Sequence, residues 1–336
     1  GMDIKGLFVL EKNALGFLSF PEPEISEHQA LVQVAACGIC NSTDWKIIQG
    51  RSKRGPFPIL LGHESAGVVV RTGSGVRSFS EGDLVLRARL HDKDVASTGG
   101  CSRFGGVSEK AGVTDVWAEQ GVGYNAFAHP QQKVPSFIDA REAPVLISLK
   151  ETLYCLKAAG VEAGRSLAII GTGPAAQMMT RLGKIMGVSP VFVFGRREKW
   201  SGLFSRLGAD GYVWDDQAPA GLRGILNAGG FDRTVEAVGS SQALGTCLDI
   251  TKSDGAVAVY GMPADDEPYD GALLGDPRVL RFRVREGQVH EEILGYVKRG
   301  DLTLSEWVDS CMSWDRFQEG FDQVREKKAR KVILTL

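Results

Sequence analysis

The sequence predicts a two-part α/β protein: a strand-rich opening third, then a parallel sheet with helices on both faces. Three observations carry this reading. At 336 residues the chain exceeds the usual size of one hydrophobic core. Its first third holds β-branched runs broken by Gly and Ser. From about residue 140 strand-like and helix-like runs alternate, the pattern of a parallel sheet covered on both sides.

The elements follow in order. "ALVQVAACGIC" and "SAGVVVRTGSGV" read as strands, and "EGDLVLRARL" follows a turn. "DAREAPVLISLKETLYCLKAAG" opens on Asp139, carries apolar residues at helical spacing and stops at Gly160, which predicts one helix. Strand "SLAIIG", helix "PAAQMMTRLGKIMG", strand "PVFVFG" and helix "EKWSGLFSRLGA" come next. "FDRTVEAVG", "SQALGTCLDITKSDG" and "AVAVYGM" continue the alternation. "RVLRFRVRE", residues 278–286, alternates apolar and basic residues like a late strand of the same sheet. Helical "QVHEEILGYVKRG" and strand "ARKVILTL" close the chain.

Composition bounds the partners. With 43% hydrophobic residues and 39 basic against 41 acidic ones, the chain reads as soluble and globular. A net charge of −2 gives no reason to expect nucleic acid or an anionic membrane as partner. No apolar run approaches a membrane span, and the opening residues lack a basic-then-apolar signal. Six cysteines in so long a chain point to a reducing compartment, so a cytoplasmic location is expected.

The turn after "SLAII" reads Gly171, Thr172, Gly173, Pro174, Ala175, Ala176, a G-x-G-x-x-A pattern between strand and helix. The first glycine permits the tight turn and the second lets backbone approach a pyrophosphate. Ala176 allows close packing of helix on strand, and the helix N-terminus supplies amide donors. Dinucleotide binding is the expectation. At the end of the next strand stand Gly195, Arg196 and Arg197, where an NAD-binding chain usually carries a ribose-binding carboxylate. Two guanidinium groups instead suit a 2′-phosphate, so NADP(H) is expected.

"CGICNSTDW", "LGHESAGVV", "VRSFSEGDLV", "GTGPAAQ", "VEAVGS" and the closing "KVILTL" together resemble the medium-chain dehydrogenase/reductase superfamily, in particular its zinc-containing alcohol and polyol dehydrogenases. The resemblance covers nearly the whole chain. It implies a GroES-like β catalytic domain over residues 1–147, a Rossmann doubly wound parallel-sheet domain over 148–285, and a return to the catalytic domain over 286–336. It further implies a homodimer or homotetramer, and hydride transfer between nicotinamide and a small alcohol, polyol or carbonyl substrate. Cys40 and His63 would be zinc ligands, with Cys37 packed. Glu64 would be a ligand or a close neighbour of the metal, and Ser42 would pass the substrate's proton.

The chain departs from the family in three places. Only Cys101 lies where a structural zinc lobe would need four cysteines, so one catalytic zinc and no structural zinc are expected. Ile147 falls where family members often carry a later ligand, and Glu151, four residues on, shares its helical face and is the expected replacement. Trp45 stands where a relay histidine is common. Residues 87–125 depart most and should help form the substrate wall, with Trp45 and Trp117 as stacking or packing surfaces. Two other readings stay open: a zinc-free NADPH-dependent quinone or alkene reductase, and a non-catalytic NADPH-binding protein.

Overall fold

The computed structural model describes residues 2–52 and 55–336. The chain divides into two compact units, Gly1–Lys150 with Arg285–Leu336, and Glu151–Val284.

The first unit is built mostly on antiparallel strands, with Ile59–Leu60 and Cys101–Ser102, and Ser310–Ser313 and Val332–Thr335, paired in parallel. One sheet runs Ala14–Pro21, Asp3–Glu11, Ile59–Leu60, Cys101–Ser102. The larger runs Ser310–Ser313, Val332–Thr335, Gln29–Gly38, Glu64–Thr72, Leu84–Leu86, Lys133–Val134, with Lys110–Thr114 also pairing to Gln29–Gly38. Gln29–Gly38 and Glu64–Thr72 lie antiparallel with Cys37 opposite Ser65 and Gly38 opposite Glu64. That register brings the end of the "ACGIC" strand beside the "GHE" turn. The last strand, Val332–Thr335, pairs antiparallel to Gln29–Gly38, with Ile333 opposite Gly38. The chain's closing residues therefore pack into the opening domain. Cys37 is fully buried in the core between these strands, with Ile39, Leu61 and Leu334.

The second unit is a six-stranded sheet, in spatial order Gly211–Val213, Val191–Phe194, Leu167–Ile170, Phe231–Glu236, Thr251–Val259, Val279–Leu280. Every paired strand is parallel. Numbered along the chain, this is the order 3-2-1-4-5-6 of dinucleotide-binding folds. Leu167–Ile170 is buried throughout, as a strand covered on both faces must be.

Two expectations are corrected. The helix predicted from Asp139 begins at Val145 and runs to Ala158. Pro144 has no N–H and disfavours helical geometry in the residue before it, so 139–144 forms turns, with Glu142 and Ala143 donating to the Asp139 carbonyl. The strand predicted over 278–286 is only Val279–Leu280, although it does form the sheet edge. Its neighbour ends at Val259, and the next two N–H groups, of Tyr260 and Gly261, turn to the Glu236 carbonyl. Arg281 onward has no ladder to join. Among the described residues no helix is long and apolar enough to cross a membrane.

Candidate functional site

The first unit gathers a sulfur, a nitrogen and a carboxylate. Cys40 stands just past the strand Gln29–Gly38, and the helix Thr43–Ile48 begins three residues on. Asp44 ties the two together: its carboxylate accepts the Cys40 N–H at 2.9 Å, while the Thr43 N–H points at the Cys40 Sγ at 3.4 Å. His63 is presented by Gly62, whose φ of +108° is open to glycine; a Cβ there would also meet the Val107 backbone nitrogen at 2.5 Å. Its Nδ1 faces Asp44 at 3.7 Å and its Nε2 faces Glu64 at 3.8 Å. Its carbonyl accepts from Arg87 at 2.9 Å. Ligand atoms of Cys40, His63 and Glu64 all lie within 4.8 Å of one another.

Charge at this point is arranged for a cation. Burial would lower the His63 pKa, but the Cys40 sulfur and the Asp44 carboxylate outweigh it and hold the imidazole well above its ordinary value. The field that favours a proton on that ring also favours a metal ion. A thiolate, an imidazole and a carboxylate are the donor types zinc takes, so the residues fit the ion.

Glu64 is already engaged. It is buried, receives Lys331 Nζ at 2.7 and 3.0 Å, and receives the Ser148 hydroxyl at 2.5 Å. Burial would raise its pKa, but Lys331, His63 and Ser148 bring it down to about 2. Desolvation works against the Lys331 charge too, yet Glu64 and Cys40 hold that pKa above its usual value. Lys331 and Glu64 form a buried ion pair.

The remaining expected residues are placed as follows. Ser42 is exposed beside Cys40, its hydroxyl 3.5 Å from Lys46 Nζ. Ile147 is fully buried, and its neighbour Ser148 makes the contact to Glu64. Glu151 opens the second unit and is not a member of the ligand group found among the described residues. Trp117 is packing rather than a stacking surface: it is fully buried and its Nε1 donates to the Phe127 carbonyl at 2.7 Å. Trp45 is half-buried under the Arg325 guanidinium.

In the second unit, Gly171 has φ +136°, and a Cβ there would crowd the Ala237 carbonyl at 3.1 Å. Gly173 caps the helix Pro174–Ile185 with extended backbone, and a Cβ on it would meet nothing within 4 Å. The face of the turn is thus open to a ligand, with Pro174 and Ala175 opening the helix and Ala176 buried against the sheet. Gly195 has a packing reason of its own: a Cβ would lie 2.2 Å from the Tyr212 hydroxyl. Arg196 and Arg197 are both exposed. Arg196 reaches the Gln242 side chain at 3.3 Å, and the Arg197 carbonyl accepts from Tyr212 at 2.7 Å.

Asp44, Ser148 and Lys331 are site residues that sequence reasoning missed. Asp44, four residues past Cys40 in a helix start, was open to discovery by spacing. Nothing local distinguishes Lys331 from its neighbour Arg330.

Known proteins match this arrangement along the chain. Residues 26–129 match the alcohol dehydrogenase GroES-like domain family, and residues 174–293 match the zinc-binding dehydrogenase family. An alcohol dehydrogenase of Geobacillus stearothermophilus is 28% identical over 97% of this chain and 96% of that protein. An L-threonine 3-dehydrogenase of Bacillus velezensis is 25% identical over 97% of both. Among solved structures, a protein described only as a zinc-binding dehydrogenase of Sinorhizobium meliloti 1021, bound to NADP, superposes with a TM-score of 0.79 at 21% identity over the full length of both chains. Benzyl alcohol dehydrogenase of Acinetobacter calcoaceticus gives 0.81 at 18% identity, again over both full lengths. The chain belongs to the medium-chain dehydrogenase/reductase superfamily, with its zinc-type alcohol and polyol dehydrogenases, and is an oxidoreductase.

Proposed function

We propose that this protein is an NADP(H)-dependent, zinc-type dehydrogenase or reductase acting on an alcohol, polyol or carbonyl substrate. The carrying observation is the convergence of Cys40, His63 and Glu64 within 4.8 Å. Cys40 Sγ and His63 Nε2 would hold one zinc ion, with the Glu64 carboxylate as third donor or as the charge behind it. Zinc there supplies a Lewis acid for the substrate oxygen. Asp44 orients the imidazole through Nδ1 and leaves Nε2 towards the metal. Ser42 Oγ, exposed beside Cys40, accepts the substrate's proton and passes it to water. Lys331 keeps Glu64 ionised and fixed, so the carboxylate does not compete for that proton. Arg196 and Arg197 read the 2′-phosphate of the cofactor, whose pyrophosphate lies on the Gly171–Ala176 turn. No structural zinc is part of this reading, since Cys101 has no cysteine partner in its segment and donates to the Pro56 carbonyl. The active form is a homodimer or homotetramer in the cytoplasm, checked by light scattering at micromolar concentration.

Metal content and turnover, measured together, test the reading. Cys40→Ser and His63→Ala should each lose zinc and activity, and Glu64→Gln should weaken both. Glu151→Gln should keep full metal content, because the donors gathered in the first unit do not include it. Loss of zinc in Glu151→Gln, with Glu64→Gln intact, would move the third donor to the helix. Activity that survives complete chelation would favour the zinc-free reductase, and NADPH binding without any turnover a non-catalytic role.

A further inference from the structure

Beside His63 the structure concentrates positive charge. The Phe104 ring lies 5.6 Å from the His63 ring, centroid to centroid. Phe104 has φ +72°, a left-handed backbone region that is unfavourable for a phenylalanine and so is held in place by its surroundings. Three guanidinium groups converge on that one ring, with Cζ atoms 5.7, 5.3 and 5.4 Å from its centroid for Arg87, Arg89 and Arg103.

The three are not equivalent. Arg87 is committed to the fold, since it donates to the His63 carbonyl and pairs with Glu286 at 2.8 Å. Arg89 is exposed and Arg103 half-buried, and neither forms an ion pair among the described residues. The Nε of Arg103 is buried without a hydrogen-bond partner. In the same segment Asp92 accepts the Ser102 N–H at 2.9 Å and Asp94 the His91 N–H at 2.7 Å. Stacking on an aromatic face explains one arginine. It does not explain two more cations crowded on the same ring, whose mutual repulsion needs a counter-charge.

We infer that Arg89 and Arg103 form an anion-binding subsite, so that the substrate carries a negatively charged oxyanion group a few carbons from the carbon that reacts. Both phosphate esters and carboxylates supply that chemistry, and paired guanidinium forks favour the dianionic phosphate. The inference rests on the dehydrogenase reading of the adjacent centre and names the substrate class of that site.

The test has a kinetic and a binding arm. Matched sets of a neutral polyol, its terminal monophosphate and the corresponding hydroxycarboxylate are assayed with zinc-loaded enzyme and NADP⁺ at low and high salt. The phosphate should exceed the neutral polyol in kcat/KM by about tenfold or more, and the margin should shrink with salt. Arg89→Ala, at an exposed position, and Arg103→Lys should each cut the charged-to-neutral ratio mainly through KM, and Arg89→Glu should invert it. A larger margin for the carboxylate makes that the natural group; equal rates for all three overturn the inference. In the binding arm, inorganic phosphate is titrated calorimetrically into the NADP⁺-saturated protein. Binding that is lost in Arg89→Glu supports the subsite even if no alcohol turns over, in which case the dehydrogenase reading fails instead. Absence of phosphate binding, or binding unchanged in Arg89→Glu, overturns the subsite whatever the turnover.

Discussion

Lys331 shows how one side chain can be both buried and indispensable. It lies in the core with Glu64, and each charge is tolerable only because the other is present. Lys331→Met should therefore destabilise the protein by about 3–5 kcal/mol, because it leaves Glu64 charged and unpaired. The double variant Lys331→Met with Glu64→Gln should recover most of that loss in urea unfolding. A double variant no more stable than the single one would show that packing, not charge, is what Lys331 contributes. Arg196 and Arg197 present the opposite situation, since they are exposed and their charges cost little in the free protein. Replacing both by alanine should weaken NADPH by about tenfold to a hundredfold while changing NADH several times less. Equal losses for the two cofactors in fluorescence titrations would deny that these arginines read the phosphate.

At the scale of elements, the strand–turn–helix unit from Leu167 to Ile185 carries two glycines with opposite prospects. Gly171 occupies φ +136° against the Ala237 carbonyl, so Gly171→Ala should cost about 1–3 kcal/mol and impair cofactor binding. Gly183 sits within the helix Pro174–Ile185, and a Cβ there would touch Leu167 and Val191 at 3.6 Å, ordinary contact distance. Gly183→Ala should stabilise the protein by about 0.5–1 kcal/mol, by reducing the freedom of the unfolded chain. Thermal unfolding should move in opposite directions for the two variants. A loss for Gly183→Ala would mean that the helix cannot stay as close to the sheet as it lies now.

At the scale of the molecule, the chain's return to its first unit is secured by a buried polar network as well as by the final strand. His290, on the returning segment, receives Lys150 Nζ on Nδ1 at 3.0 Å, and its Nε2 meets the Lys133 carbonyl at 2.8 Å. Lys150 also donates to Gln132 at 3.1 Å, and Gln132 donates to the Gly287 carbonyl at 3.0 Å. Burial, and then the Lys150 charge, push the His290 pKa down from 6.5 to about 3. Between those values the unfolded chain binds a proton that the native state refuses. Stability should be unaffected by this group above pH 6.5 and fall as pH drops towards 3, by up to about 1.4 kcal/mol per unit. His290→Gln should flatten that part of the profile, measured by urea unfolding between pH 7 and 4. Parallel profiles for the two proteins would mean that the native state accepts the proton.

Much of the arrangement was legible in the chain itself. The alternation after residue 140 determined the parallel sheet, because strands covered on both faces must be apolar throughout, as Leu167–Ile170 is. The G-x-G-x-x-A turn marked the junction of strand and helix, where Gly171 takes a φ of +136° and Ala176 is buried. Cys40 and His63 stood out by type and setting. Tertiary structure alone decided the rest. It turned the helix start from Asp139 to Val145, cut the strand at 278–286 to two residues where its neighbour turned away, and buried Trp117. It gathered the Glu64 carboxylate with Cys40 and His63, and brought Ser148 and Lys331 to it from 84 and 267 residues away. Local pattern reports periodicity and backbone preference, which act over a few residues. Which charge meets which across the core depends on strand register between distant segments, and only the folded chain sets that.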